Sequence, residues 1–357
     1  MNEPIRVGVV GFGLAGRVFH TAVIRATQGL ALAAVVQRSG DDAKEEYPDA
    51  HVVRSVEELL RDVGIQLVVI ATPSYSHYEL AKQCLHEQRH VVIDKPFTLK
   101  SEEAADLIKM ARQRKLLLAA YQNRRWDGDF QTVRQLLAGG ELGRLVSFES
   151  HFDRFRPAPR RDVWRESGAP GGGTLFDLGP HLVDQALTLF GTPATISASV
   201  RVEREHAVVD DAWDICLEYE PPHRMSVMLR ATLTACAAGP RYVLHGTHGS
   251  FTKWGLDPQE DQIKSGMDFN APGFGEEPES AWGELKLCSD AGPIVRRVKT
   301  ERGDYRGFYE NVRDTLLGKA ELEVKPEQAW RTTRLIELAR ESSGQGRRLR
   351  VDFSAQP

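Results

Sequence analysis

The sequence is short of cysteine, of long apolar runs and of any excess of basic charge. Its four cysteines in 357 residues, Cys84, Cys216, Cys236 and Cys288, form no C-x-x-C pair and have no neighbouring histidine cluster. That spacing excludes a zinc ribbon or a dithiol redox motif and leaves buried free thiols as the expectation. No apolar run approaches the ~20 residues that cross a bilayer, and the start "MNEPIRV" lacks a basic segment followed by an apolar one. A cytoplasmic protein without a membrane partner is expected. The formal charge is -4, from 46 Lys and Arg against 50 Asp and Glu, and no basic stripe interleaves with aromatics. Nucleic acid is therefore not an expected partner, and no metal is expected in the chemistry.

What is present is an ordinary globular composition, 41% hydrophobic and 27% charged, in a chain long enough for two domains. From Ile5 to about Tyr121, short β-branched runs ("IRVGVV", "LALAAVV", "QLVVIAT", "HVVIDKP", "LLLAAY") alternate with amphipathic stretches. Unalternating apolar strands are buried on both faces, as in a parallel sheet between helices. The expectation is an α/β fold: a doubly wound Rossmann domain over residues 1–123. Beyond Asn123 the runs lengthen and partly alternate, as in "LVSFESHF", "WDICLEYE" and "RMSVMLRATLTA". They predict an α+β domain over 124–357 with a large, mostly antiparallel open sheet. The Gly- and Pro-rich stretch from Gly255 to Pro278 reads as a surface excursion, and "YRGFYENVRDTLLG" and "PEQAWRTTRLIELARESS" read as helices.

The segment "VGVVGFGLAGRVFH" places Gly11, Gly13 and Gly16 between a strand and a helix. There a G-x-G-x-x-G run serves a dinucleotide: Gly11 for the tight turn, Gly13 for backbone approach to the pyrophosphate, Gly16 for helix-on-strand packing. Phe12, Leu14 and Ala15 complete the loop. The acid that takes ribose hydroxyls in NAD-type folds is missing, because the second strand ends Gln37-Arg38-Ser39. A carboxylate would repel a 2′-phosphate, whereas Arg38 pairs with it, so NADP is favoured over NAD. An ordinary solvated Arg38 is the competing reading. The fourth strand ends in Ala71-Thr72-Pro73 at the sheet edge that binds ligands. His77 follows, either near the cofactor ribose or facing solvent.

The fifth strand ends "IDKP", placing Asp94 and Lys95 at the same edge, where a lysine beside a nicotinamide can handle protons. The stretch "GGGTLFDLGPHLVD" predicts a helix with Pro180 in its first turn. Asp177, His181 and Asp184 share one face there. His181 is the expected acid/base, with Asp177 fixing its tautomer, and the Lys95 charge would keep it neutral. A helix-dipole aspartate with a merely satisfied histidine is the competing reading.

Taken in order and spacing, the glycine fingerprint, "TPSYSH", the "DKP" lysine and "GGGTLFDLGPHLVD" resemble the Gfo/Idh/MocA oxidoreductase family over essentially the whole chain. "GFGLAGRVFH" and "YQNRRWDGDF" resemble its branch of NADP-linked scyllo-inositol dehydrogenases. The resemblance implies hydride transfer between a nicotinamide and a sugar or cyclic polyol, with Lys95, Asp177 and His181 as catalytic residues. It implies a further cofactor contact from Trp164-Arg165. Asp94 departs from the usual Glu before Lys-Pro, which touches on a ribose contact.

Asn123, Arg124, Asp153 and Arg156 are the candidates to hold substrate hydroxyls, with Asn123 also near the cofactor. If the open sheet is apolar on its uncovered face, a homodimer or homotetramer follows. Two alternatives share the fold: a cofactor-binding sensor, which would have no need of an acid/base set, and a reductase of a non-sugar substrate.

Overall fold

The computed structural model describes residues 3–160 and 162–357. The chain opens with β1 (Ile5–Val10), and a π-helical run, Ala15–Thr21, continues directly into α1 (Ala22–Ala26). Next come β2 (Leu30–Val36), α2 (Asp42–Glu46), β3 (His51–Val53), α3 (Val56–Leu60) and β4 (Leu67–Ile70). The unit closes with α4 (His77–His86), β5 (His90–Ile93), α5 (Ser101–Arg114) and β6 (Leu118–Ala120). Its six strands pair in parallel in the order β3-β2-β1-β4-β5-β6. Val68, Val69, Ile70, Val91, Val92 and Ile93 are fully buried, which is why these strands read as unalternating β-branched runs. The order reverses between β1 and β4, so the glycine loop and the Thr72-Pro73 turn flank one crevice at the carboxyl edge.

The second part begins with α6 (Gly128–Gly139), β7 (Leu145–Asp153) and α7 (Thr174–Phe190). It continues through β8 (Thr195–Arg201), β9 (Ala212–Tyr219), β10 (Met225–Thr232), β11 (Tyr242–Gly246), β12 (Gly249–Lys253) and α8 (Gln259–Lys264). It ends with β13 (Gly283–Leu287), β14 (Ile294–Val298), α9 (Arg306–Leu316), α10 (Pro326–Gln345) and β15 (Leu349–Arg350). Nine strands run β14-β13-β12-β11-β7-β10-β9-β8-β15, antiparallel except for β7 beside β10. One face is apolar: Ile215 and Leu217 of β9 and Val227 and Leu229 of β10 pack on Leu178 and Leu182 of α7 and Leu335 and Ile336 of α10. That packing sets α7, with its polar stripe, between the sheet and the nucleotide-binding unit.

The outer face of the sheet is mixed, with Met228 and Val243 standing among Asp214, Glu218, Arg230 and Lys286. Three expectations need correction. The stretch Gly255 to Pro278 is not a mere surface excursion. Phe269 and Phe274 lie in the core of the nucleotide-binding unit, joined there by Phe308 and Tyr309 of α9 and Trp330 of α10. The chain beyond Asn123 therefore feeds both cores. Of the cysteines only Cys84 is buried; Cys216 is half-buried on the outer face of β9, and Cys236 and Cys288 are exposed past strand ends. Pro180 lies inside α7 rather than in its first turn, because the helix already starts at Thr174. Among the described residues no helix is long and apolar enough to cross a membrane.

Candidate active site

The glycine loop has the geometry a phosphate cradle needs. Gly11 has φ +104°, and a Cβ there would lie 2.6 Å from Ala71 O, so neither the backbone nor the space admits a side chain. A Cβ on Gly13 would meet nothing within 4 Å, which leaves that backbone open to a ligand. Leu14 and Ala15 form the tip of the loop, Leu14 60% exposed, and Phe12 packs edge-on against Tyr47 with ring centroids 6.0 Å apart.

At the end of β2, Gln37 turns away from the crevice. Its Nε2 donates to Asp42 Oδ2 (2.7 Å), and its Oε1 accepts from the Ala43 amide (2.9 Å). The Gln37 side chain is therefore a brace for α2, not a cofactor ligand. Arg38 and Ser39 are exposed, and among the described residues Arg38 has no ion-pair partner. The nearby acids are engaged elsewhere: Asp41 accepts from Arg54 Nη2 (2.7 Å) and Asp42 from Gln37. Arg54, which sequence reasoning missed, also donates through Nη1 to Gln37 O (3.0 Å) and Gly40 O (2.6 Å), holding the loop that carries Arg38. An exposed arginine with neighbouring carboxylates tied down fits a 2′-phosphate.

Ala71 is buried, and Thr72 Oγ1 lies 2.7 Å from Ser76 Oγ in the turn that contains Pro73. His77 is also buried, so it does not face solvent. Its Nδ1 is 2.8 Å from Pro96 O and its Nε2 2.9 Å from Thr72 O, so one ring ties the β4 turn to the β5 turn. Burial pushes its pKa down, opposed by Asp94 and by the two carbonyls. Burial prevails and favours the neutral ring, whose single N–H donates to one of the two carbonyls. Asp94 is turned inward as well. It accepts from the Lys95 amide (2.7 Å) and stands 3.7 Å from His20 Nε2, so a ribose contact is not what its geometry shows. Burial opposes the Asp94 charge, but His20 and Lys95 outweigh it and hold the carboxyl below its usual range. His20, which sequence reasoning passed over, lies 2.6 Å through Nδ1 from the Tyr309 hydroxyl.

Lys95 sits where the sequence placed it, at the end of β5 facing α7. Its Nζ donates to Asp177 Oδ1 (2.8 Å) and to Asp177 O (2.6 Å). Pro180 lacks the N–H that would satisfy Phe176 O, and the lysine bonds the very next carbonyl. Asp177 Oδ1 also lies 3.2 Å from Arg165 Nε. Burial disfavours the Asp177 charge, yet Lys95, Arg165 and Arg154 together hold its carboxyl far below the usual range.

His181 is one turn further on, 4% exposed, with Nδ1 buried and unpartnered. Burial first, then the Lys95 and Arg124 charges, drives its pKa well below the ordinary histidine value, so the ring is neutral. The expected bond from Asp177 to His181 is not formed, because the carboxylate is spent on Lys95 and Arg165. Asp184 belongs to a different interaction: Arg125 donates to it through Nε and Nη2, both at 2.7 Å, in a buried bidentate pair. The polar stripe of α7 thus divides into two catalytic candidates and one structural acid.

The hydroxyl-holding candidates divide too. Asn123 is buried at the start of a 3-10 turn, Asn123–Trp126, without a side-chain partner among the described residues. Arg124 is committed to Asp127 (3.2 Å) and Glu260 (3.1 Å) and stacked on Phe152, and Asp153 accepts from the Gly239 amide (3.2 Å). Arg124 is thus held by two acids, whereas Asp153 keeps a buried Oδ1 without a partner among the described residues and stays a candidate for a substrate hydroxyl. Arg156 is half-buried and unpaired among the described residues. Trp164 opens a short 3-10 turn, and its ring stands perpendicular to Tyr75, centroids 6.0 Å apart, while Arg165 lies over it at 4.6 Å. The β7–α7 loop thereby reaches back over the β4 turn and closes one side of the crevice.

Two family models match the chain. The NAD-binding Rossmann fold of the Gfo/Idh/MocA oxidoreductase family covers residues 5–122, and that family's C-terminal alpha/beta domain covers residues 134–352. The uncharacterized oxidoreductase YdgJ of Escherichia coli (strain K12) is 40% identical over 96% of this chain and 97% of its own length. The scyllo-inositol 2-dehydrogenase (NADP(+)) IolW of Bacillus subtilis is 33% identical over 98% of this chain and 97% of its own. Among solved structures, YvaA of Bacillus subtilis matches with a TM-score of 0.94 at 33% identity, covering 99% of this chain and 100% of that one. YPO2259 of Yersinia pestis matches at 0.93 and 39% identity, covering 99% of both chains.

Proposed function

The chain belongs to the Gfo/Idh/MocA oxidoreductase family, and from that premise we propose that it is an NADP-preferring dehydrogenase or reductase of a cyclic polyol or sugar. Residues 1–123 hold the cofactor in this reading, and the part beyond supplies the substrate face. The observation that carries it is the Lys95–Asp177 pair beside a neutral, buried His181 at the carboxyl edge of the parallel sheet. The NADP preference rests on Arg38, free at the end of β2, and agrees with the cofactor named for IolW.

Bound nicotinamide supplies the acceptor or donor of hydride. In the oxidation direction His181 accepts the hydroxyl proton at a ring nitrogen, which its neutrality permits. Lys95 Nζ, with one of its three N–H groups free beyond the two bonds to Asp177, donates to the same oxygen as negative charge develops on it. Asp177 restrains the ammonium and keeps it aimed, so the lysine loses little freedom when substrate arrives. In the reverse direction the two groups return the proton to a carbonyl oxygen. Screening NADP+ reduction over a panel of inositols, other cyclic polyols and aldoses tests the reading. Turnover on at least one of them supports it, and none with either NADP+ or NAD+ removes it.

A further inference from the structure

Beside Asp177 the crevice continues into a pocket lined by five arginines, Arg154, Arg156, Arg160, Arg165 and Arg204, with Gly173 and Thr174 of the α7 start. Two of these charges are neutralised. Arg204 pairs with Glu166 (2.9 Å) and Asp211 (2.9 Å), and Arg160 pairs with Glu166 (3.1 Å). Arg165 shares Asp177 with Lys95, so one carboxylate faces two cations. The remaining acid in the lining, Asp210, is turned to the helix start and accepts from the Leu175 amide (2.7 Å) and Thr174 Oγ1 (3.1 Å).

Arg154 and Arg156 have no carboxylate partner among the described residues, and Arg154 lies against the Phe152 ring at 4.8 Å. Burial pushes the Arg154 guanidinium below the usual arginine range; Asp177 opposes this from a distance, and Arg156 and Arg124 add to it. A half-buried cation with two further arginines nearby and no bonded carboxylate is a cost to the fold that an anion would relieve. A neutral polyol needs hydroxyl partners, not two guanidinium groups that no carboxylate bonds among the described residues.

We propose that the substrate carries an anionic group, a carboxylate or a phosphate on the sugar or polyol, held by Arg154 and Arg156 beside the Lys95–Asp177 pair. This deepens the dehydrogenase reading and rests on it. The anionic group anchors one end of the molecule, which leaves the reacting hydroxyl to His181 and Lys95.

The test uses the full-length protein saturated with NADPH, so that the cofactor phosphates occupy their own sites. Titration with D-glucuronate, D-glucose 6-phosphate and D-glucose is followed calorimetrically, and initial rates with NADP+ are taken on the same three and on myo-inositol with its monophosphate. The inference expects at least one anionic compound to bind and D-glucose not to. It expects kcat/KM at least tenfold higher on the anionic member of a pair. That ratio falls tenfold or more in Arg154→Gln and in Arg156→Gln. The second variant guards against a folding defect in the first, since Arg156 makes no aromatic contact among the described residues. A preference for glucuronate assigns a carboxylate, and one for the esters a phosphate.

If inorganic phosphate binds the cofactor-free protein but no anion binds once NADPH is present, the arginines serve the cofactor and the inference is overturned. Neutral members turned over as well as charged ones also overturn it, with the dehydrogenase reading intact. Anions bound without turnover of any compound would instead remove the dehydrogenase reading itself, and the inference with it.

Discussion

Lys95 Nζ bonds both the side chain and the main chain of Asp177, at 2.8 and 2.6 Å, so one ammonium joins the end of β5 to the first turns of α7. The two units of the protein meet at this contact, as they also do where Ser101 donates to Glu337. Replacing Lys95 by Ala leaves Asp177 with Arg165 alone and removes the donor to the reacting oxygen. Turnover should fall roughly 10²- to 10⁴-fold, while cofactor affinity, held largely by the glycine loop, changes only a few-fold. Stopped-flow turnover and fluorescence titration with NADPH measure the two separately.

The neutral state of His181 fixes a pH dependence. A base must be unprotonated, and burial with Lys95 and Arg124 lowers its pKa well below the ordinary value. In the oxidation direction kcat/KM should therefore stay level as pH drops from about 8 to about 6.5, the unperturbed histidine value, and decline only below it. An acid limb with its midpoint at neutral pH or above would show that another group is the base.

Arg38 should decide the cofactor. Because it is exposed and unpaired among the described residues, Arg38→Asp should leave the melting temperature within a degree or two and reverse the order of affinities from NADPH-first to NADH-first. Calorimetric titration with both cofactors reads the order directly. NADH bound as tightly as NADPH by the unaltered protein would contradict the assignment.

Asp184 and His181 separate by what their loss does. Asp184→Ala leaves Arg125 buried without its bidentate partner, and chemical unfolding should show a loss of about 3–5 kcal/mol. His181→Ala should abolish most turnover with a smaller effect on stability. Two losses of similar kind would mean that both residues are structural.

How much of this was legible in the sequence depended on how far away the deciding partner lay. The β4 run "LVVI" and the β5 run "HVVI" announce doubly covered strands by themselves, and the lysine after β5 has only one edge to occupy. The glycine loop was equally local, since Gly11 meets Ala71 at the next sheet edge. Gln37 misled because its orientation is set by Asp42 and the Ala43 amide rather than by its place after β2. Asp184 shares a helix face with His181, but its role comes from Arg125, 59 positions away. His77 was illegible for the same reason, since its partners are the carbonyls of two separate turns. Phe269 and Phe274 were hidden in a Gly- and Pro-rich stretch whose turns serve to bring two aromatic anchors back to the other core. Arg154 was passed over because a neighbouring charge in "HFDRFRP" says nothing of which side chains find a partner.

The central claim is that Lys95 and His181 form one proton-handling unit for a nicotinamide-linked oxidation. Its most direct test is the steady-state turnover of the unaltered protein, Lys95→Ala, His181→Ala and the double variant on the best compound from the polyol and sugar panel, with NADPH affinity measured on each. The account predicts a loss of roughly 10²- to 10⁴-fold in each single variant, a double loss well short of the product of the two, and affinities within a few-fold of one another. Full activity in both single variants on that compound would contradict it.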